Sequence, residues 1–397
     1  MFRKVAIIAF ALLVSVALHA QQPPVAADSL STGPHMRISL ITCGPGNEEI
    51  YEVFGHTAIR IIDSTQHTDL VYNYGTFAYG PDFEMKFMKG KLLYYLDIDR
   101  YDNFVMEYVK AKRKVEEQVL LLNDEQKVHV YNFLEWNAEP ANKYYKYDFF
   151  FDNCATRIRD IFPKPDVFGT AFQYGRALPQ DQRLSFRDII NIYFAGDHWT
   201  RTGVNILLGS RIDRVMTNDD IMFLPDYLRD GIAGATVNGQ KIAAPASIIL
   251  AGTPLPKPGI NGPLLMTCVV AILTILGLSI KRLRVLGRVM GALLFLVTGL
   301  LGILILVMWF GTDHQGCGNN FNILWCLPTN LILAFFRPKG ASRYSLVAIV
   351  LILASFVLHL LKIQCIIPEF YPLFAALLFL YGTIYKNSTT KAIVANA

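Results

Sequence analysis

From residue 263 onward the chain is dominated by apolar spans, at roughly 263–280, 289–310, 321–336, 344–361 and 367–385. A run of about 20 apolar residues crosses the hydrocarbon of a bilayer as a helix, because only there are all backbone polar groups satisfied internally. The segment 263–385 is therefore predicted to be an α-helical membrane domain of about five spans. Lys281, Arg282, Arg284 and Arg288 form one basic loop, Arg337, Lys339 and Arg343 another, and Lys386 and Lys391 flank the last span. The loops at 311–320 and 362–366 hold Lys362 as their one basic residue. If residues 21–262 are exported, every basic loop stays inside, as charge bias across membranes requires. The third span is unusual: about sixteen residues long, it contains Asn322, Trp325, Pro328 and Asn330. Such residues are costly at that depth unless they face protein or a cavity.

A second apolar concentration lies at the other end. Arg3 and Lys4 precede the run from Val5 to Leu18, and Ala20 is followed by Gln21-Gln22-Pro23-Pro24. This pattern predicts a secretory signal peptide over 1–20, cut near Ala20, with an uncleaved anchor helix as the alternative. Residues 21–36 are expected to be a flexible leader, 251–262 a Pro/Gly-rich linker and 386–397 a cytoplasmic tail. The net charge of +5 comes without a Lys/Arg stripe alternating with aromatics, so no nucleic-acid partner is implied. The six cysteines form no CxxC pair and no zinc spacing, so neither a metal nor another cofactor is expected, nor a disulfide framework.

The exported segment 37–250 has an α+β pattern. Strands are predicted at Arg37–Thr42, His56–Ile62, Asp69–Gly75 and Lys114–Leu122, and short helices over 81–91 and 101–112. A helix is predicted over Asp124–Asn137, and an aromatic strand, Tyr144–Phe151, leads to Cys154. Residues 165–230 are mixed and mostly helical, and Asn238-Gly239 signals a hairpin.

Two residues in this segment have the setting of a nucleophile and its base. Cys154 follows Asp152-Asn153, either of which is a good N-cap, and opens a helical pattern carrying Ile158 and Ile161. A thiol in the first turn of a helix sits at the positive end of the dipole, which favours thiolate. His56 stands at the head of a strand, where imidazole can take a proton from that thiol. The expected orienting group is Asn73 on the neighbouring strand, with Tyr72 behind it, and the backbone N–H of Cys154 is the expected oxyanion donor. Arg157 and Arg159 either hold a phosphate or carboxylate or pair with Asp160 or Asp152. Asp313 and His314, just before the third span, either meet a lipid head group or substrate amine or form a wet loop. Cys43, before Gly44-Pro45-Gly46, is either a second thiol near His56 or a space-filling residue.

The order of a Gly55-His56 strand followed by an Asn153-Cys154 helix resembles the circularly permuted papain-like group, which includes the lecithin:retinol acyltransferase-like enzymes. Thr42-Cys43-Gly44-Pro45-Gly46, Phe54-Gly55-His56, Tyr72-Asn73-Tyr74-Gly75-Thr76-Phe77 and Asp152-Asn153-Cys154-Ala155-Thr156-Arg157 together resemble the Lnb N-terminal periplasmic domain family. Phe223-Leu224-Pro225 and the loop Asp313-His314 with Asn322 extend the resemblance over nearly the whole mature chain. Ala78 departs from it, standing where an acidic residue is expected. The resemblance implies a papain-like exported domain, the inner membrane of a Bacteroidota cell, and apolipoprotein N-acyltransfer with Cys and His in the acyl-transfer step. It further implies a membrane phospholipid as donor and a lipoprotein amine as acceptor. Two alternatives remain: a membrane-anchored cell-wall peptidase or amidase, and a non-catalytic module of envelope assembly.

Overall fold

The computed structural model describes residues 35–395 except 48, 179–181, 255–257, 337 and 339. The expected signal peptide, residues 21–34 of the leader, and the basic residues Arg337 and Lys339 lie outside the described residues.

A seven-stranded antiparallel sheet forms the centre of the exported half. Its strands are β1 (Met36–Cys43), β2 (His56–Asp63), β3 (Thr68–Phe77), β4 (Leu93–Arg100), β5 (Val115–Val119), β6 (Tyr144–Lys146) and, after three short strands named below, β10 (Ser247–Leu250). The spatial order is β10-β5-β1-β2-β3-β4-β6. Alternation along β1 sends Ile38 and Leu40 to one face and Ile41 and Cys43 to the other, and all four are fully buried. A sheet covered on both faces needs this, and each such side chain contributes roughly 1.5–3 kcal/mol by leaving water. Helices α1 (Phe83–Met88) and α2 (Tyr101–Lys110) flank β4 in sequence, and α2 covers the Ile41 face through Phe104 and Tyr108. The opposite face receives α3 (Asp124–Ala138) and α4 (Cys154–Arg159). It also receives α8 (Pro225–Ala233), which follows α5 (Phe186–Tyr193), α6 (His198–Leu207) and α7 (Asn218–Ile221).

Three local outcomes differ from the sequence pattern or complete it. Strand β4 was not predicted, although Tyr94 and Leu96 face the core while Leu93 points out. The aromatic strand expected over Tyr144–Phe151 stops at Lys146. There Asp148 accepts from the N–H groups of Phe150 (3.0 Å) and Phe151 (3.1 Å), and its backbone pairs with that of Asp152. A carboxylate that bonds its own downstream backbone replaces the sheet ladder with a turn. The Asn-Gly hairpin forms between β8 (Thr236–Val237) and β9 (Gln240–Lys241), beside β7 (Phe172–Gln173). Asn238 (φ 52°) and Gly239 (φ 78°) both take the left-handed backbone its tight turn demands.

The C-terminal half is helical. Helices α9 (Gly262–Ser279), α10 (Arg284–Gly311) and α12 (Ala341–Leu360) are long and apolar enough to cross a membrane. The expected third span is instead broken. A short 3-10 turn, Phe321–Leu324, precedes α11 (Asn330–Phe335), whose six residues rise only about 9 Å. Pro328 offers no N–H between them, and the polar side chains are all engaged. The Asn330 amide donates to Thr298 (3.0 Å) and accepts from Tyr344 (2.7 Å) and Tyr381 (2.6 Å). The last helix is α13 (Tyr371–Ala395).

Buried polar contacts fasten this half to the exported domain. Asn320 donates to the Ile206 carbonyl (2.9 Å), the Cys365 N–H to Asp213 (2.9 Å), and the Gly209 N–H to the Gly316 carbonyl (2.9 Å). Asn261, which caps α9, donates to buried Glu369 (2.9 Å), and Glu369 also pairs with Arg201. The loops after α10 and α12 thus sit on the exported domain, with the basic turn Lys281–Arg288 at the opposite end of α9 and α10.

Candidate active site

The site forms where β2 begins, β3 bulges and α4 starts. Cys154 is the first residue of α4, and Asn153 is its N-cap. The Asn153 side chain accepts from Thr156 N–H (2.9 Å) and donates to the carbonyls of Phe149 (2.8 Å) and Phe223 (2.8 Å). Its own N–H donates to Thr156 Oγ1 (2.7 Å). The end of the helix is thereby fixed from both sides, which fixes where Sγ points. The bond to Phe223 also gives the Phe223-Leu224-Pro225 segment a structural purpose.

His56 opens β2, directly across the ladder from Cys43. Its Nε2 lies 2.6 Å from Asn73 Oδ1. A carboxamide oxygen only accepts, so Nε2 carries the proton and Nδ1 is left for Cys154, to which the ring is hydrogen-bonded. Asn73 reaches the imidazole because β3 bulges between Tyr74 and Thr76. Gly75 lies in that bulge at φ 93°, and a Cβ there would stand 3.7 Å from Cys154 Cβ, 3.9 Å from His56 Cε1 and 3.9 Å from the Tyr147 ring. Gly75 lets the strand bend around the Cys154–His56 pair.

Charge interactions favour the ion pair. Burial alone pushes the Cys154 thiol up. The imidazolium, its hydrogen bond, and the N–H groups of Thr57 and Ala155 overcome this and lower it. Burial likewise opposes charge on His56, but the thiolate and the bonds to Cys154 and Asn73 raise it above its ordinary value. The arrangement is a buried Cys–His pair in which each partner is shifted toward its charged form and the imidazole is oriented by an amide. As the first helical residue, Cys154 has a backbone N–H without an intrahelical acceptor, available to a developing oxyanion.

The other candidates fall in different places. Burial pushes the Cys43 thiol up to about 12, against the hydrogen bond from Tyr108, so it stays protonated beside His56. Tyr72 does not stand behind Asn73; it points to the other face and donates to Glu135. Arg157 is committed to Asp152 (2.6 Å) and stacks 4.0 Å over Tyr145, while Arg159 pairs with Asp160 (2.7 Å) and the Asp219 carbonyl (2.8 Å). These are the ion pairs that the sequence left open. Asn322 is buried, donating to the Ile206 carbonyl (3.1 Å) and accepting from Trp325 (3.0 Å). Asp313 pairs with Lys146 (3.0 Å), and His314 contacts the Met88 carbonyl (3.1 Å), so this loop docks on the end of α1. Gly75 and Tyr147 were missed by the sequence reading; Gly75, directly after Asn73-Tyr74, carried the one available signal.

Residues 31–185 match the model of the Lnb N-terminal periplasmic domain, and residues 256–392 that of the Lnb transmembrane domain. No curated protein and no solved structure matches the chain. The two domain models follow one another in N-to-C order, so the chain belongs to an Lnb-type family, with a periplasmic mixed α/β domain and a C-terminal membrane part.

Proposed function

We propose that this protein is a cysteine-dependent acyltransferase of the bacterial inner membrane. It moves a fatty acyl chain from a phospholipid through a thioester on Cys154 to the N-terminal amine of a diacylglyceryl-cysteine lipoprotein. The observation that carries the reading is the chain Cys154–His56–Asn73, with Nε2 bonded to Asn73 at 2.6 Å and the thiol lowered by the imidazolium. The strand-borne histidine preceding a helix-borne cysteine supports a permuted papain-like arrangement. The attachment of this site to a membrane part supports lipid substrates, with the broken segment 321–336 and α13 completing five crossings.

The thiolate of Cys154 attacks the ester carbonyl carbon of the donor, and the tetrahedral oxyanion takes the Cys154 N–H. Collapse breaks the ester C–O bond, and the lyso-lipid oxygen leaves with the proton from His56. The uncharged lipoprotein amine then attacks the thioester, His56 accepts its proton, and the C–S bond breaks. The products are the amide and the original thiolate–imidazolium pair. Asn73 keeps Nδ1 aimed at sulfur throughout.

Mass spectrometry of lipoprotein N-termini tests the assignment in cells carrying the wild-type protein or Cys154→Ser at equal abundance. Triacylated N-termini in the first and free diacylglyceryl-cysteine amines in the second are expected. Identical N-acylation in both would exclude the proposed role.

A further inference from the structure

We propose that residues 77–93, centred on α1, form a lipid-immersed ramp that takes the acyl chain of a bilayer phospholipid to Cys154. The inference rests on the acyl-transfer reading and adds where the donor enters.

Helix α1 and its approach are built of residues that a soluble surface does not favour. Tyr79 is 79% exposed, Met88 55%, Phe87 53% and Met85 48%, and α1 has no buried residue. Such a contiguous aromatic and methionine patch marks a membrane or protein contact. Its attachment identifies the membrane. The Asp313 N–H donates to the Lys89 carbonyl (2.8 Å), His314 contacts the Met88 carbonyl (3.1 Å), and Lys146 pairs with Asp313 (3.0 Å). That loop leaves α10 only two residues earlier, at Gly311, where Phe310 is 72% exposed. The end of α1 is therefore held where a membrane-crossing helix surfaces. Lys86, Lys89 and Lys91 are gathered at this end, whereas Asp82 and Glu84 lie at the other. Lysines beside an apolar face are the usual composition of a segment lying in the head-group layer.

From this patch a continuous row of rings runs to the nucleophile. Phe87 stacks on Phe83 (6.1 Å), Phe83 on Phe77 (5.6 Å), Phe77 meets Tyr94 (5.3 Å) and Tyr94 stacks on Tyr147 (4.3 Å). The Tyr147 ring and Cys154 both lie against Gly75, 3.9 and 3.7 Å from where its Cβ would stand. An acyl chain laid along these rings would stay in apolar contact from the bilayer to Sγ, with its phosphate among the three lysines. The occupant is a phospholipid of the surrounding bilayer: the row begins beside α10 and ends at the thiol.

Two measurements on the full-length protein test the ramp. In the first, Cys154→Ala protein carrying p-benzoylphenylalanine at position 87 is irradiated in vesicles of phosphatidylethanolamine and phosphatidylglycerol. A mass gain of one phospholipid is expected at position 87 and not at position 121, where exposed Leu121 lies beyond β5 on the other side of the sheet. No adduct at 87, or equal adducts at both positions, would overturn the proposal whether or not the protein is an acyltransferase. In the second, the variant Phe87→Asp/Met88→Asp is compared with wild type for acylation of Cys154 by vesicle phospholipid and by a short-chain soluble ester. The phospholipid-to-ester rate ratio is expected to fall at least tenfold. An unchanged ratio would overturn the ramp while leaving the acyl-transfer chemistry standing; no acylation of wild type by either substrate would instead refute the chemistry.

Discussion

Replacing His56 by Ala isolates what makes Cys154 reactive. In the wild-type site, burial raises the thiol, and the charge and hydrogen bond of His56, together with the Thr57 and Ala155 N–H groups, bring it below its ordinary value. His56→Ala deletes both effects and keeps the burial and the Thr57 and Ala155 N–H groups. A hydrogen bond to a charged group is worth about 1.5–3 kcal/mol, and its loss, together with that of the charge, moves thiolate formation to higher pH. The sign is fixed by the partner: a cation stabilises the thiolate, so its loss means that higher pH is needed to form one. The assay is iodoacetamide alkylation of Cys154 across pH, read by peptide mass spectrometry. Its midpoint reports ionisation, independently of how nucleophilic each thiolate is. Asn73→Ala, which removes the 2.6 Å support from Nε2, should shift the midpoint upward by less. Cys43, raised to about 12, should stay unlabelled in every variant near neutral pH. An unchanged midpoint in His56→Ala would refute the ion pair, and with it the role of His56 as base.

Other consequences follow from particular contacts. Asn330→Leu removes the acceptor of the Tyr381 hydroxyl and one of the two partners of the Tyr344 hydroxyl, which keeps Thr329 (2.8 Å), at a cost of about 1–3 kcal/mol for an unpaired buried group; detergent-solubilised protein should melt at lower temperature, and an unchanged transition would contradict this. Arg157→Ala breaks a partly exposed pair worth about 1 kcal/mol or less, so acyl transfer should fall less than tenfold; abolished transfer by a folded variant would show that Arg157 meets substrate. A cysteine at exposed Val285 should be labelled by membrane-impermeant reagents only from the inner side, and labelling from outside in intact cells would overturn the topology.

The parts of this account that were legible in the sequence depend on short-range chemistry. Asn153-Cys154 before a helical pattern and Gly55-His56 before an alternating strand located the pair. The neighbouring strand offered Asn73 as the group that orients the imidazole. What the sequence hid depends on distant partners. Asp148 ended the aromatic strand early by bonding its own downstream N–H groups, which an aromatic run does not advertise. The polar residues of the third apolar segment marked it as unusual. Two of their partners, Tyr381 for Asn330 and the Ile206 carbonyl for Asn322, lie 51 and 116 residues away. Arg157 offered two readings because its pairing with Asp152 depends on the turn that only the fold supplies.

The measurement closest to the central claim is the intact mass of full-length protein incubated with phospholipid and no acceptor, before and after neutral hydroxylamine. The thioester account predicts a gain of one acyl chain that hydroxylamine removes and that Cys154→Ala never acquires. Acyl transfer to a lipoprotein amine by protein that shows no such adduct, even on rapid quenching, would contradict it. Direct attack of the amine on the donor ester, with His56 as base, would then take its place.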